Sequence, residues 1–205
     1  MKRCPDTVFR NATVFNPFTR EFIKNQSVWV KDGIIAYTGP DSDYSRTERT
    51  VTIDADGMVL LPGLIDGHTH ALSHRYRVEE FVKHVIPSGV TTVITETIEL
   101  ATIAGKEGID YFAKGLERQP IRLYYTVAPL CGLTPAEEII APTLEEFESI
   151  LKDPKCLGVG EIYWGNIFLE GGQGDRLKAL VSTALKMKKV VEGHTAGAKG
   201  QKLQD

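Results

Sequence analysis

Pro62-Gly63-Leu64-Ile65-Asp66-Gly67-His68-Thr69-His70 is the stretch whose reading decides the fold. In an extended strand residues i and i+2 project from one face, so Asp66, His68 and His70 point together while Gly67 and Thr69 point away. Two imidazoles aimed at one point can share a metal ion. The preceding Met58-Val59-Leu60-Leu61 is apolar without alternation, the pattern of a strand buried on both faces of a parallel sheet. A His-x-His pair at the C-terminal end of such a strand sits where an α/β barrel places its chemistry.

Downstream, buried strands alternate with amphipathic helices about every thirty residues, the rhythm of βα units. Val78, Phe81, Val82, Val85 and Ile86 mark a helical face that Pro87-Ser88-Gly89 ends, and Val90 to Thr95 reads as the second strand. Ile109, Phe112, Ala113 and Leu116 form the next helical stripe, before a third strand from Ile121 to Val127. Thr143 with Glu146 makes a capping box for a helix whose apolar face is Leu144, Phe147, Ile150 and Leu151. Leu157-Gly158-Val159-Gly160-Glu161 is a fourth strand ending on an acid. Asp175 is the expected N-cap of a helix carrying Leu177, Leu180, Val181, Ala184 and Leu185, and its basic end, Lys186, Lys188 and Lys189, suits the negative pole of the helix dipole. Val190-Val191-Glu192-Gly193-His194 is the fifth strand. His84 is expected to face solvent.

Upstream of residue 58 the chain reads instead as short strands: Thr7 to Phe9, Ala12 to Phe15, Ser27 to Val30, Ile34 to Thr38 and Val51 to Ile53. Asp32-Gly33 between two β-branched runs signals a hairpin, because glycine accepts the positive φ of the turn. The fold class is therefore α/β: a partial TIM-type barrel of about five βα units, where a closed barrel has eight, preceded by a small β-rich domain. The boundary falls between residues 1–58 and 59–205.

Composition narrows the class of partner. The 205 residues are 42% hydrophobic and 25% charged, which suits a globular protein with a sizeable core and excludes a disordered chain. A formal net charge of −3 offers no broad basic field, so no nucleic acid is expected as partner. Cys4, Cys131 and Cys156 are odd in number and contain no CxxC pair, which argues against a disulfide framework or zinc ribbon and for a reducing, cytoplasmic location. Cys4-Pro5-Asp6-Thr7 interrupts any signal-peptide core, and no stretch approaches membrane-spanning length, so no membrane is expected.

The chemistry converges at strand ends. His68 and His70 close the first strand, Glu161 the fourth and His194 the fifth, and in a parallel barrel those positions share one rim. Residues a hundred apart in sequence could meet there around one or two ions, which would lower the pKa of a bound water toward neutrality. Gly158 and Gly160 permit close backbone approach beside Glu161.

The nine residues from Pro62 to His70 resemble the opening strand of the amidohydrolase superfamily. Gly105-Lys106-Glu107-Gly108-Ile109, Val159-Gly160-Glu161-Ile162 and the run from Glu192 to Leu203 make the chain most similar to the adenine deaminase branch. The resemblance covers essentially the whole chain. It implies a composite β domain, of which residues 1–58 are a segment, beside a metal-dependent barrel whose N-terminal part is 59–205. The implied reaction is hydrolysis of adenine to hypoxanthine and ammonia, with a purine base as substrate and a binuclear divalent transition-metal centre of Mn, Fe or Zn. Carried over by position, His68 and His70 bind one metal, Glu161 bridges, and His194, placed with Glu161 in the catalytic machinery, binds the second. Many superfamily members bridge with a carbamylated lysine; glutamate here favours adenine deaminase over ring-opening hydrolases such as dihydropyrimidinase.

Two positions depart from that branch. Leu72 stands where it carries an acid, and Ile98 stands where the Asp-Pro-His-Glu that follows the second strand, here Glu96-Thr97-Ile98-Glu99, has its histidine. Another amidohydrolase activity, on a cyclic amide or substituted purine, and a non-catalytic metal-binding fragment are the alternatives. His74 and Arg75 read as exposed loop residues, and Cys131 as a packing residue. The family's last barrel strand carries a proton-transferring aspartate for which these 205 residues have no counterpart, so the isolated chain is expected to be inactive and, as an open half-barrel, to self-associate as a homo-oligomer.

Overall fold

The computed structural model describes residues 4–41, 47–71, 77–130 and 134–201. They form two units, Met1–Pro62 and Gly63–Asp205. The first holds β1 (Thr7–Asn16), β2 (Glu21–Lys31), β3 (Ile34–Pro40), β4 (Val51–Asp54) and β5 (Val59–Leu60) in one mixed sheet ordered β3-β2-β1-β4, with β5 also on β1. Asp32 and Gly33 both take positive φ, 51° and 72°, in the tight turn between β2 and β3. The two short strands expected over residues 7–15 are one strand. Asn11 takes φ 60° at a register shift between Phe9 and Ala12, so an irregularity and not a turn separates the two apolar runs.

The run Met58 to Leu61 is not the buried start of the histidine-bearing strand. Val59 and Leu60 pair in parallel with Thr13 and Val14, and Met58, Val59 and Leu61 are exposed. Pro62 has no amide hydrogen to continue a ladder, and the next strand starts afresh at Leu64. An apolar run without alternation carries no information on whether its faces are covered, and here they are open.

The second unit alternates β6 (Leu64–Thr69), α1 (Val78–Val85), β7 (Val90–Thr95), α2 (Ile98–Leu116), β8 (Arg122–Val127), α3 (Pro135–Ile140), α4 (Leu144–Leu151), β9 (Cys156–Tyr163), α5 (Gly171–Lys186) and β10 (Val190–His194). Its five strands are all parallel and lie side by side in chain order. A doubly wound sheet would reverse strand order at some point; monotonic order is that of a barrel wall. The core packs helices on this sheet through Val82, Val93, Ile109, Leu116, Phe147, Leu151, Val159 and Leu180.

Helix boundaries depart from the sequence reading in instructive ways. α2 begins at Ile98, well before its apolar stripe, and kinks at Gly105. α3 has a complete capping box of its own, with Thr134 and Glu137 exchanging bonds, a Thr-Pro-x-Glu signal that apolar periodicity does not carry. α4 has the expected Thr143–Glu146 box, whereas its first residue, Leu144, is exposed. Asp175 lies inside α5 and caps nothing. A Cβ on Gly174 would stand 1.9 Å from the Leu169 carbonyl oxygen, so close packing on the preceding segment, available only to glycine, sets where this helix starts. Leu185, near the end of α5, is exposed as well. His84 faces solvent, bonded through Nδ1 to the Glu80 carbonyl.

The sheet's two edge strands carry exposed Leu64, Ile65 and Val190. Apolar edges with open backbone groups template further pairing. The 205-residue chain is therefore expected to self-associate at micromolar concentration, with a sedimentation coefficient that rises across a dilution series; a single concentration-independent monomer boundary would contradict this.

Candidate metal centre

Three parallel strands present the polar side chains. β6 carries His68 and delivers His70 one residue past its end; the Glu96 amide donates to the Thr69 carbonyl at 2.8 Å and the Ala71 amide to Thr95 Oγ1 at 3.0 Å, which pins that strand end to β7. Asp66, on the same face, accepts the His68 backbone amide at 3.2 Å. β9 carries Glu161 two residues before its end, and β10 ends on His194.

Glu161 is the hub, only 5% exposed. Its Oε1 lies 3.3 Å from His68 Nε2 and also contacts His194 Nε2, while Oε2 lies 3.5 Å from His70 Nε2. The His68 and His70 rings meet edge to face, centroids 5.5 Å apart, and His194 stacks on Tyr163 at 5.0 Å. One donor atom each from His68, His70 and Glu161 falls within 4.8 Å of the others. The packing that allows this is glycine-dependent: a Cβ on Gly160 would stand 1.8 Å from Glu192 Oε1, and one on Gly158 would stand 1.9 Å from the Val190 carbonyl oxygen.

Three imidazoles around a buried carboxylate whose two oxygens face different rings form an N/O donor set of the kind that holds zinc, iron or manganese. A buried carboxylate demands a cation or several donors. Among the described residues, the Glu161 oxygens meet ring nitrogens only. The donor chemistry fits a divalent cation.

A second layer of acids surrounds the first, and the sequence reading assigned it no role. Glu99 Oε1 lies 2.8 Å from His70 Nδ1, and Glu192 Oε2 lies 3.5 Å from His68 Nδ1. Thr126 Oγ1 links Glu96 Oε1 at 3.1 Å to Glu192 Oε1 at 3.3 Å. The i, i+2 rule that paired His68 with His70 also pairs Glu192 with His194, so one signal for this layer was present. Burial pushes the Glu96 carboxyl up to about 8, against the pull of bonds from the Thr97 and Ile98 amides and from Thr126; the negative charge of Glu192 raises it further.

That shift has a definite sign. The unfolded carboxyl ionises near its ordinary value of 4.5, and the folded one holds its proton to about 8. Between those values the folded state binds more protons, so stability is fully present at the acid end and is lost as pH rises toward 8. Glu96→Gln is expected to remove this part of the slope and to leave the variant more stable than wild type above pH 8, measured by urea unfolding from pH 5 to 9. The amide oxygen can keep the two backbone donors while its nitrogen donates to Thr126.

Leu72, His74, Arg75 and Cys131 lie outside the described residues. Ile98 opens α2, half-buried, with its amide on Glu96. Cys156 is buried and its thiol is pushed up to about 12 by that burial, which makes it a packing residue.

Residues 59–203 match the family model of the amidohydrolase family. The chain belongs to that family. Among its amidohydrolase relatives, an adenine deaminase from Ruegeria sp. strain TM1040 is 36% identical over 198 residues, covering 93% of this chain and 32% of its own length. Adenine deaminase 2 from Carboxydothermus hydrogenoformans is 32% identical over 205 residues, 98% of this chain and 34% of its own. This amidohydrolase chain thus spans about a third of the curated relatives it matches. In fold it is similar to the atrazine chlorohydrolase of Arthrobacter aurescens TC1 complexed with zinc (TM-score 0.58, 15% identity, 89% of this chain and 51% of that one). A prolidase complexed with N-methylphosphonate-L-proline matches at TM-score 0.55 and 15% identity over 89% of this chain and 54% of that one. The five-stranded parallel sheet is part of an amidohydrolase barrel.

Proposed function

We propose that this chain carries the N-terminal half of a binuclear metal-dependent aminohydrolase centre, and that the whole protein to which it belongs deaminates adenine: adenine and water give hypoxanthine and ammonia. The observation that carries this reading is Glu161, a buried carboxylate with one oxygen toward His68 and His194 and the other toward His70. His68 and His70 would hold one cation, His194 the second, and Glu161 would bridge them. The adenine deaminases similar to it over more than nine-tenths of its length support the substrate. On this reading residues 59–205 are the first part of an eight-unit barrel and 1–58 a segment of the β domain beside it.

Exchange of an amino group for oxygen needs a strong oxygen nucleophile at the ring carbon and a proton for the departing ammonia. A divalent metal, when bound, lowers the pKa of a water toward neutrality and so makes hydroxide available at neutral pH. The residues of this chain supply the rest of the setting: imidazole lone pairs and one buried negative charge that neutralises part of the cationic field. The free cysteines Cys4 and Cys156 support a reducing compartment such as the cytoplasm. The identity of the metal is proposed as manganese, iron or zinc from the N/O donor set.

The test is metal analysis and ammonia release on the whole protein, wild type against His68→Ala and Glu161→Ala, with adenine as substrate. Loss of bound metal and of ammonia together is the expected result; metal content unchanged by both substitutions would overturn the assignment. Ile98 and Leu72, apolar where the adenine deaminase branch has a histidine and an acid, favour a second reading in which the substrate is a cyclic amide or substituted purine. A panel of those compounds beside adenine separates the two.

A further inference from the structure

Each of the two histidines at the end of β6 divides its ring between two acids. His70 turns Nε2 toward Glu161 and Nδ1 toward Glu99; His68 turns Nε2 toward Glu161 and Nδ1 toward Glu192. The two outer acids differ in kind. Glu99 Oε1 stands 2.8 Å from Nδ1, inside hydrogen-bond range, and its side chain is 17% exposed. Glu192 stands at 3.5 Å and is 31% exposed, too far and too wet for a formed bond.

We propose that Glu99 is a positioning residue for His70: its carboxylate accepts the Nδ1 proton, fixes the Nδ1–H tautomer, and so presents the Nε2 lone pair to the cation site shared with Glu161. An ionised carboxylate can only accept, so the ring atom facing it must carry the hydrogen, and a neutral ring with hydrogen on Nδ1 is bare at Nε2. That is the arrangement a metal-ligating histidine requires, and the second carboxylate both orients the ring and raises its basicity.

Helix electrostatics alone do not account for Glu99. It sits in the first turn of α2, where any acid gains from the helix dipole, but such an acid does so from solvent. Glu99 instead folds back onto His70, and its other oxygen, Oε2, is buried without a hydrogen-bond partner among the described residues. Leaving a carboxylate oxygen so placed is costly, and the hydrogen bond to His70 is what the side chain obtains for it.

The inference rests on His70 being a metal ligand, and the experiment separates the two claims. On the whole protein at pH 8, with its histidines labelled with nitrogen-15, long-range proton–nitrogen NMR of the metal-free form reads the His70 tautomer, and equilibrium dialysis against zinc alone reads affinity, for wild type, Glu99→Ala, Glu99→Gln and His70→Ala. Wild type is expected to show Nδ1–H. Glu99→Ala is expected to move the ring toward Nε2–H and to weaken zinc binding roughly 10- to 100-fold, the usual effect of losing such a partner. Glu99→Gln, whose amide oxygen still accepts, is expected to keep the tautomer and most of the affinity, which a loss of bulk or charge alone would not restore. If His70→Ala weakens binding but both Glu99 variants leave tautomer and affinity unchanged, positioning by Glu99 is overturned while the metal assignment stands. If His70→Ala leaves affinity unchanged, both fall. Should Glu99→Ala not fold, Glu99→Gln decides: an Nε2–H ring with wild-type affinity would refute the proposal.

Discussion

Glu161→Ala is expected to strip the centre of metal while leaving the metal-free fold intact or more stable. Both halves follow from one feature. Among the described residues the side chain is the single buried acid on which His68, His70 and His194 converge, so its loss removes the one negative group there that faces all three. Losing a partner that merely orients a ligand costs roughly 10- to 100-fold in metal affinity, and losing the shared carboxylate should exceed that. Stability moves the other way because a carboxylate buried without a cation is expensive, and alanine removes that burial cost. Among the described residues, an alanine there gives up no hydrogen bond from the backbone. Metal per chain after exhaustive dialysis, together with urea unfolding of the metal-free protein at pH 8, measures the two effects. A variant that loses metal and also unfolds early would mean that Glu161 is a structural ion-pair residue. His194→Ala provides the graded comparison: with His68, His70 and Glu161 still grouped within 4.8 Å, one metal per chain should remain, against the two that the proposed binuclear centre predicts for wild type.

Much of this centre could be read from the sequence because strand geometry is simple. Alternation puts His68 and His70 on one face, and strand ends in a parallel sheet share a rim, so Glu161 and His194 could be placed near them without knowing any distance. What could not be read depends on side-chain reach between neighbouring strands. Glu99 meets His70 because α2 starts at Ile98, directly after the Glu96 amide has bonded the Thr69 carbonyl at the end of β6, and no periodicity encodes that contact. Glu192 and Glu96 communicate through Thr126, a residue on an intervening strand that carries no motif. The mistaken reading of Met58 to Leu61 has a different origin. Hydrophobic runs report that burial would be favourable, not that a covering layer exists, and Pro62 was a better guide to where the strand breaks. Asp175 failed as a cap for a third reason: local capping preference yielded to the close contact between Gly174 and Leu169.

Gly158→Ala is expected to detach β10 and, with it, the second half of the site. The methyl group would stand 1.9 Å from the Val190 carbonyl oxygen, 2.6 Å from its carbon and 2.8 Å from its nitrogen. All three are backbone atoms, so no rotamer change relieves the clash, and the ladder between β9 and β10, which pairs Val190 with Gly158, must open. Ordinary overpacking costs about 1–3 kcal/mol, and a clash that only strand separation can relieve belongs at or above the top of that range. β10 is an edge strand held on one side alone, so the least costly response is its release and not global unfolding. His194 and Glu192 leave with it. The expected signature is therefore specific: rapid amide exchange over residues 190–194 with protection retained in β7 and β8, and metal content falling to that of His194→Ala. Gly115→Ala is the control, since a Cβ there meets nothing within 4 Å and alanine in place of glycine inside α2 should stabilise by about 0.5–1 kcal/mol. Equal, small effects of the two substitutions would mean that the strands can part slightly at no cost, and that the approach of β10 to β9 does not hold His194 in place.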